Sequence, residues 1–178
     1  MKDGPRFDIG FVDSDGVFKP CPVILHASSF GSIERTMCTL LENIAVDQDR
    51  GKPPCFPLWL SPTQVRVVPV KEDYLPLAER FADSFTQGRV RADVDDRAQS
   101  VGRKVRDSEV EWVPYTVVVG QRETLDGMLT VRCREEQDDK AQLTAEQLIA
   151  RVREKTGDVP WLPLPIPRRL TRRPIFYG

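Results

Sequence analysis

The feature of this sequence that most constrains its fold is a regular alternation of strand and helix patterns over residues 58–157. Four short segments, rich in apolar and β-branched residues, predict strands: 64–70, 88–95, 113–120 and 127–134. Apolar residues at helical spacing predict helices that begin near Tyr74 and after Ser100, and Thr144 opens a third with Gln147 completing a capping box. The order β-α-β-α-β-β-α predicts an α/β domain whose mixed, mostly parallel sheet has helices on both faces.

A polar and then proline-rich segment, DQDRGKPPCFP (47–57), separates this domain from the first third of the chain. Proline cannot continue a helix, so this segment is the predicted boundary between a first region, 1–57, and the α/β domain, 58–157. The remaining residues, 158–178, form a tail rich in proline and arginine, for which an extended conformation is predicted.

The first region predicts a hairpin and one helix. Phe7, Ile9 and Phe11 alternate with polar or small residues over 6–12, DSDG (13–16) is typical of a turn, and the apolar run at 20–26 predicts the second strand. An apolar stripe from Ile33 to Ile44 predicts a helix for which Ser32 is the N-cap.

Overall composition excludes several classes of protein. The net charge is −1, with 26 basic and 27 acidic residues, so any nucleic-acid signal has to come from local patterning. No apolar run approaches the ~20 residues that a membrane span needs. The four cysteines contain no C-x-x-C pair and are expected to be reduced thiols in a cytoplasmic protein.

The segment HASSFGSIER (26–35) holds the only histidine of the chain, His26, nine residues before Arg35. A single histidine at a strand end is more often structural than a ligand, because zinc needs three or four ligands. Arg35 lies in the first turn of the predicted helix, where a guanidinium and backbone amides favour phosphate. Taken alone, Arg35 fits an ion pair to Glu34 or Glu42, or a solvated helix face, better than a phosphate site, because a specific phosphate-loop pattern needs more than one glycine.

Basic residues cluster in two further places. Arg97, Arg103, Lys104 and Arg106 interleave with acids around Gly102. This pattern fits either an ion-paired exposed helix or a face that contacts phosphates and bases. Arg132 and Arg134 share one face of a predicted strand, where two like charges repel unless an acid or a bound anion pairs them.

The order of these segments resembles a known enzyme family. GSIER resembles motif 3 of class II aminoacyl-tRNA synthetases, and PLWLSPTQVRVVPV, then VRADVDDRAQSVGRKVRDSEVEWVPYTVVVG and GMLTVRCR resemble the anticodon-binding domain of class IIa. The resemblance covers essentially the whole chain and is best to the threonyl branch, archaeal type. It implies a five-stranded α/β anticodon-binding fold, preceded by an antiparallel C-terminal remnant of the catalytic domain.

The resemblance also implies roles for single residues. His26 matches a ligand of the active-site zinc that recognises threonine, and Arg35 matches the motif 3 arginine that contacts ATP. Arg106, Glu123 and Arg132 match positions that contact the tRNA anticodon. Arg103 belongs to the same basic cluster and is assigned to the same interface. Ala98 and Trp112 replace an asparagine and an arginine of bacterial members, and Trp112 offers a ring on which a base can stack.

What the resemblance does not place in this chain is equally informative. Motifs 1 and 2 and the other zinc ligands would lie before Met1. The chain is therefore expected to be part of a threonine–tRNA ligase, a cytoplasmic homodimer that uses ATP with Mg²⁺ to attach threonine to tRNA(Thr), and to be inactive alone. Neither DNA nor a membrane is an expected partner.

Two alternatives stay open: a stand-alone tRNA-binding accessory subunit without catalysis, and a sister specificity such as prolyl or histidyl. The spacing of His26 and Arg35 argues against the sister specificity. If the first region is a remnant of a larger sheet, the apolar side chains of Phe7, Ile9, Phe11 and Ile24 should be partly uncovered.

Overall fold

The computed structural model describes residues 3–21, 31–135 and 140–174. The chain divides into two compact units, Met1–Thr39 and Leu40–Gly178. In the first unit, helix α1 spans Asp3–Arg6, and strands β1 and β2 span Gly10–Val12 and Phe18–Pro20. Helix α2 spans Ile33–Asp49, so the division falls inside it.

The first unit contains the predicted hairpin, but its second strand is displaced. Strand β2 pairs antiparallel with β1, with Gly10 opposite Pro20 and Val12 opposite Phe18. The prediction of this strand over 20–26 was therefore wrong at its start, and residues 22–26 lie outside the described residues. Turn chemistry decides the register, because the Gly16 N–H donates to the Asp13 carbonyl over 2.8 Å and Gly16 adopts a positive φ of 74°.

Apolar side chains of the hairpin are uncovered, as expected from the sequence. Phe7, Ile9 and Phe11 are 62%, 43% and 45% exposed. Ile24, for which the same was expected, lies outside the described residues.

The second unit is built on a five-stranded sheet. The elements that follow α2 are β3 (Val65–Pro69), α3 (Leu75–Gln87), β4 (Ala92–Val94), α4 (Val101–Val110), β5 (Tyr115–Val119), α5 (Gln121–Asp126), β6 (Leu129–Cys133), β7 (Lys140–Leu143) and α6 (Ala145–Thr156). The strand order is β4-β3-β5-β6-β7, with two parallel and two antiparallel pairings. The predicted α/β class with a five-stranded mixed sheet is confirmed, whereas α5 and β7 were not predicted individually.

One face of this sheet carries the hydrophobic core. Alternate residues of β3, β5 and β6, among them Val67, Val117 and Val131, point toward helices α3 and α6 and are at most 1% exposed. Phe85 of α3 and Leu148 of α6 fill the space above them and are fully buried. Each such side chain contributes about 1.5–3 kcal/mol on burial, so this face supplies most of the stability of the unit.

The other face holds a buried ionic cluster beneath helix α4. Arg66 of β3 and Asp93 of β4 are adjacent in register and 1% and 0% exposed. The guanidinium donates to Asp93 through two hydrogen bonds of 2.9 Å and to Glu111 through one of 2.7 Å. The sequence gives little sign of this cluster, because its residues are 27 and 45 positions apart.

The tail after α6 runs along the outer edge of β4. The Val94 N–H donates to the Arg168 carbonyl over 3.0 Å, and Arg169 donates to Glu79 of α3 over 2.6 Å. Further along, Arg173 reaches Asp93 over 2.7 Å. A short 3₁₀ turn, Leu170–Arg172, interrupts the predicted extended conformation. The tail thereby covers an edge strand that would otherwise expose unpaired backbone groups.

Candidate nucleic-acid interface

The open part of the second sheet face carries a row of polar side chains. Thr130 and Arg132 of β6 point away from the core, and their register partners on β7 are Gln142 and Lys140. Helix α4 packs on β3 and β5, so it covers the ionic cluster and leaves this row accessible. Because α4 packs on β3 and β5 and does not cover the polar row on β6 and β7, a groove lies between α4 and these two strands.

The groove is large and cationic. Its main part has a volume of about 810 Å³ and shares five lining residues with a neighbouring cavity of about 470 Å³. Arg106, Arg132 and Lys140 line both parts. Within the described ranges, none of these three side chains has a hydrogen-bond or ion-pair partner. Unpaired cations along an open groove form a surface that favours a polyanion.

Glu123 supplies a fixed carboxylate at the second cavity. It lies in the first turn of α5 and is 9% exposed. Its carboxylate accepts the Gly120 N–H over 2.9 Å and the Thr130 hydroxyl over 3.3 Å. Both contacts hold the carboxylate in one orientation, which a hydrogen-bond acceptor needs in order to discriminate between ligands.

Trp112 lies at the opposite end of the groove in an unusual backbone conformation. Helix α4 ends with the Val113 N–H donating to the Ser108 carbonyl over 3.0 Å, and Trp112 occupies the left-handed position with φ 56°. Glycine normally fills this position, because a side chain there costs about 1–2 kcal/mol. The indole packs against Phe56 with ring centroids 5.4 Å apart. The result is an aromatic pair at the rim of a cationic groove.

Most of the basic cluster predicted on α4 is committed to contacts inside the unit. Ser100 caps the helix as predicted, accepting the Arg103 N–H over 3.3 Å. The Arg103 side chain lies 3.4 Å from Asp107, is 67% exposed and does not line the groove. Only Arg106 among the four basic residues faces the groove.

Asp95 holds two members of the basic cluster in place. Arg97 donates to its carboxylate over 2.6 Å and 2.9 Å, and Lys104 donates to its backbone carbonyl over 3.0 Å. Burial raises the pKa of Asp95, but the contacts from Arg97 outweigh that effect and leave the pKa below its ordinary value. Burial lowers the pKa of Lys104. Arg97 and Lys104 therefore stabilise the junction of β4 and α4, and their charged groups are already engaged in contacts with Asp95.

Arg134 differs from Arg132 although both were predicted on one strand face. Arg134 lies just beyond the end of β6, where its guanidinium donates to the carbonyls of Pro54 and Glu109, each over 2.6 Å. The Arg134 guanidinium is therefore bound by neutral backbone carbonyls, and the residue forms part of the wall of the groove. Arg132 keeps its charge available to solvent.

Of the two residues matched to the catalytic remnant, Arg35 belongs to the first unit, Met1–Thr39. Arg35 is exposed in the first turn of α2, and its backbone N–H donates to Ser32 over 3.3 Å, in agreement with the predicted N-cap. His26 lies outside the described residues. Among the residues that are described, no group of three or more histidine, cysteine or acidic side chains is placed to hold a metal.

Comparison with known proteins identifies relatives of the whole chain. Residues 64–155 match a family described as an anticodon binding domain. The threonine–tRNA ligase of Methanococcoides burtonii is 43% identical over 180 residues, which are 99% of this chain and 28% of that protein. The threonine–tRNA ligase of Thermococcus sibiricus is 42% identical over 178 residues, 100% of this chain and 28% of that protein. The chain thus spans about 28% of the length of these relatives.

Solved structures share the fold. The RNA binding domain of threonyl-tRNA synthetase from Cryptosporidium parvum superposes with a TM-score of 0.60 at 27% identity, covering 85% of this chain and 36% of that one. Prolyl-tRNA synthetase from the same organism has a TM-score of 0.51 at 21% identity over 57% of this chain and 22% of that one, a likeness of fold alone. None of the helices in the described ranges has the length and apolar character needed to cross a bilayer.

Proposed function

The chain belongs to the anticodon binding domain family and is homologous over its whole length to threonine–tRNA ligases, and from this premise we propose that it is the anticodon-recognising part of such an enzyme. The observation that carries the proposal is one groove that combines a fixed carboxylate, a half-buried tryptophan packed on Phe56, and cations without a partner among the described residues. A single-stranded anticodon loop offers the matching chemistry of phosphates, base edges and base faces.

Each side chain of the groove has a distinct role in this proposal. Arg106, Arg132 and Lys140 bind backbone phosphates, which supplies affinity that falls as salt rises. Glu123, fixed by Gly120 and Thr130, accepts a hydrogen bond from the N–H groups of one base. Trp112 stacks on a base. In this scheme affinity comes mainly from the cations and selectivity mainly from Glu123.

The affinity part is tested with Arg132→Ala. We expect the dissociation constant for a tRNA(Thr) transcript to rise about tenfold, because a charged hydrogen bond is worth about 1.5–3 kcal/mol. The magnitude of the slope of log K against log salt should fall by about 1. Fluorescence anisotropy titrations at several salt concentrations measure both quantities. Arg80→Ala removes an exposed arginine from α3 and is the matched control.

Two arginine variants within α4 distinguish binding in the groove from general attraction of tRNA to surface charge. Arg103→Ala should weaken tRNA binding less than Arg106→Ala, because Arg103 is paired with Asp107 and lies outside the groove. Equal losses for Arg80→Ala, Arg103→Ala and Arg132→Ala would mean nonspecific attraction and would overturn the proposal.

The selectivity part is tested with Glu123→Gln, which keeps an oxygen to accept the Gly120 N–H. The variant should retain most of its affinity for tRNA(Thr) but discriminate less against a transcript whose anticodon is changed, since each mismatched base contact is worth about 1–3 kcal/mol. Wild-type protein that binds both transcripts equally would instead favour an accessory subunit that ignores the anticodon.

The activity of the complete enzyme is also a proposal for this chain. A homodimeric, cytoplasmic ligase would attach threonine to tRNA with ATP and Mg²⁺, and Arg35 would bind the ATP triphosphate through its exposed guanidinium. His26 remains the predicted contributor to a zinc site. We expect this chain alone to give no threonine-dependent exchange of pyrophosphate into ATP. Measurable exchange that requires Arg35 would contradict that expectation.

A further inference from the structure

A second basic cavity lies in the larger unit at the amino ends of β3 and β4. It has a volume of about 270 Å³ and combines three arginines with two tryptophans: Arg89, Arg91, Arg153, Trp59 and Trp161. Gln64, which precedes β3, and the turn after α6 complete its walls. No residue of the anticodon groove lines it, so it is a separate site.

The three arginines have different tasks. Arg91 lines the cavity and its side chain is held in place, because its guanidinium donates to the carbonyls of Trp59 and Ser61 over 2.7 Å and 2.8 Å. Arg89 and Arg153 are exposed, and their side chains have no hydrogen bond or ion pair to any residue that the structure describes. Asp158 is the one acid on the wall. Two guanidiniums are therefore available to an anion.

The backbone holds Arg89 in place at an energetic cost. Helix α3 ends with the Val90 N–H donating to the Phe85 carbonyl over 2.8 Å, and Arg89 occupies the left-handed position with φ 60°. This position favours glycine. The neighbouring Gly88 is required elsewhere, because a Cβ there would lie 2.7 Å from Ile149 of α6. An arginine kept in an unfavourable conformation at a basic cavity indicates a role for its side chain.

The size of the cavity favours part of a large ligand. Sites that enclose a complete small molecule usually have about 300–1,000 Å³, and this cavity, at about 270 Å³, lies just below that range. Trp59 lines the same cavity as Arg89 and Arg153 and is 46% exposed, so an aromatic side chain is accessible there. Phosphate beside an aromatic face is the pattern of RNA backbone recognition.

We propose that this cavity binds a backbone phosphate of tRNA outside the anticodon, with the adjoining nucleotide against Trp59. This inference rests on the proposed function, because it takes tRNA as the partner. It adds a contact that is independent of sequence, and it predicts that the two sites differ in selectivity. The anticodon groove distinguishes transcripts, whereas this cavity strengthens binding to all of them alike.

The test uses the double variant Arg89→Gly/Arg153→Ala. Glycine removes the guanidinium and relaxes the left-handed position, so the variant should be at least as stable as the wild type and a loss of binding cannot come from unfolding. We expect dissociation constants for tRNA(Thr) and for an anticodon-changed transcript to rise by the same factor, about 5- to 20-fold. The salt slope should fall in magnitude by about 1, because the cavity binds one phosphate. Arg80→Ala again serves as the control.

The outcomes separate this inference from the proposed function. If the double variant binds both transcripts as the wild type does while Arg132→Ala keeps its effect, the second site is wrong and the anticodon groove stands. If neither variant changes binding, the proposed function itself fails. A third arm titrates AMP and inorganic phosphate, and saturable binding of either that needs Arg89 and Arg153, with tRNA binding unchanged, would reassign the cavity to a free phosphate compound.

Discussion

The two faces of the five-stranded sheet contain neighbouring residues of the same strands, but one face is apolar and the other carries charged and polar side chains. On β6, Leu129 and Val131 are buried under helices, whereas Thr130 and Arg132 line an open groove. Because side chains alternate along a strand, one short segment serves both purposes. The first face holds the hydrophobic core, whereas the second carries charges, some of which have no partner within the described residues.

The second face is not uniform, however. Where α4 covers it, Arg66 and Asp93 are buried and form an ion pair. Where α4 does not reach, Arg132 and Lys140 line the groove, and neither side chain has a partner in the described part of the chain. Polar residues on this face thus have two roles, and burial decides between them. The following variants test that division, beginning with the largest expected change.

Asp93→Ala should cause the largest loss. The carboxylate is fully buried and accepts hydrogen bonds from Arg66, Arg173 and Thr63. Removing it leaves a buried guanidinium without its main partner, which costs about 3–5 kcal/mol. Urea unfolding at pH 7 measures the free energy of unfolding. Asp93→Asn, which keeps an acceptor oxygen, should lose less, and a loss under 1 kcal/mol for Asp93→Ala would show that the cluster is not structural.

Leu148→Ala tests the apolar face and should cost about 2–5 kcal/mol, because it opens a cavity between α6 and the sheet. The fraction that remains folded should bind tRNA with the affinity of the wild type, since the groove lies on the other face. Glu154→Ala, an exposed change on the same helix, should stay within about 0.5 kcal/mol of the wild type. A selective loss of tRNA binding in Leu148→Ala would break the division between the faces.

The sequence predicts the apolar face better than the polar one, for a physical reason. Helix and strand periodicity and capping are local, so the N-cap at Ser100 and the capping box at Thr144 and Gln147 are found where they were predicted. Strand β7 was missed because KAQL offers only two apolar residues, and α5 because six residues give no helical stripe. Hairpin register depends on hydrogen bonds in the turn, which composition does not show.

The candidate site required information that is not local. Arg103 and Arg106 are alike in sequence, and only the position of Asp107 and the groove separates them. In the same way, Arg134 and Arg132 differ because carbonyls from distant segments reach one and not the other. Resemblance to the synthetase family supplied Arg106, Glu123 and Arg132 together, and the structure places all three in one groove. Their roles in anticodon binding remain predictions.

The smallest expected change comes from Trp112, where stability and binding should separate. Trp112→Ala removes the ring but keeps a side chain in the left-handed position, whereas Trp112→Gly removes the ring and relaxes the backbone. Both variants lose the contact with Phe56, so the glycine variant should be more stable than the alanine variant by about 1 kcal/mol. Thermal unfolding at matched protein concentration measures that difference.

If the Trp112 ring stacks on a base, both variants should bind tRNA about equally weakly, since a stacked base is worth about 1–3 kcal/mol. Wild-type affinity in both variants would mean that the strained tryptophan supports only Phe56, and the polar face would then read the anticodon through Glu123 and the cations alone.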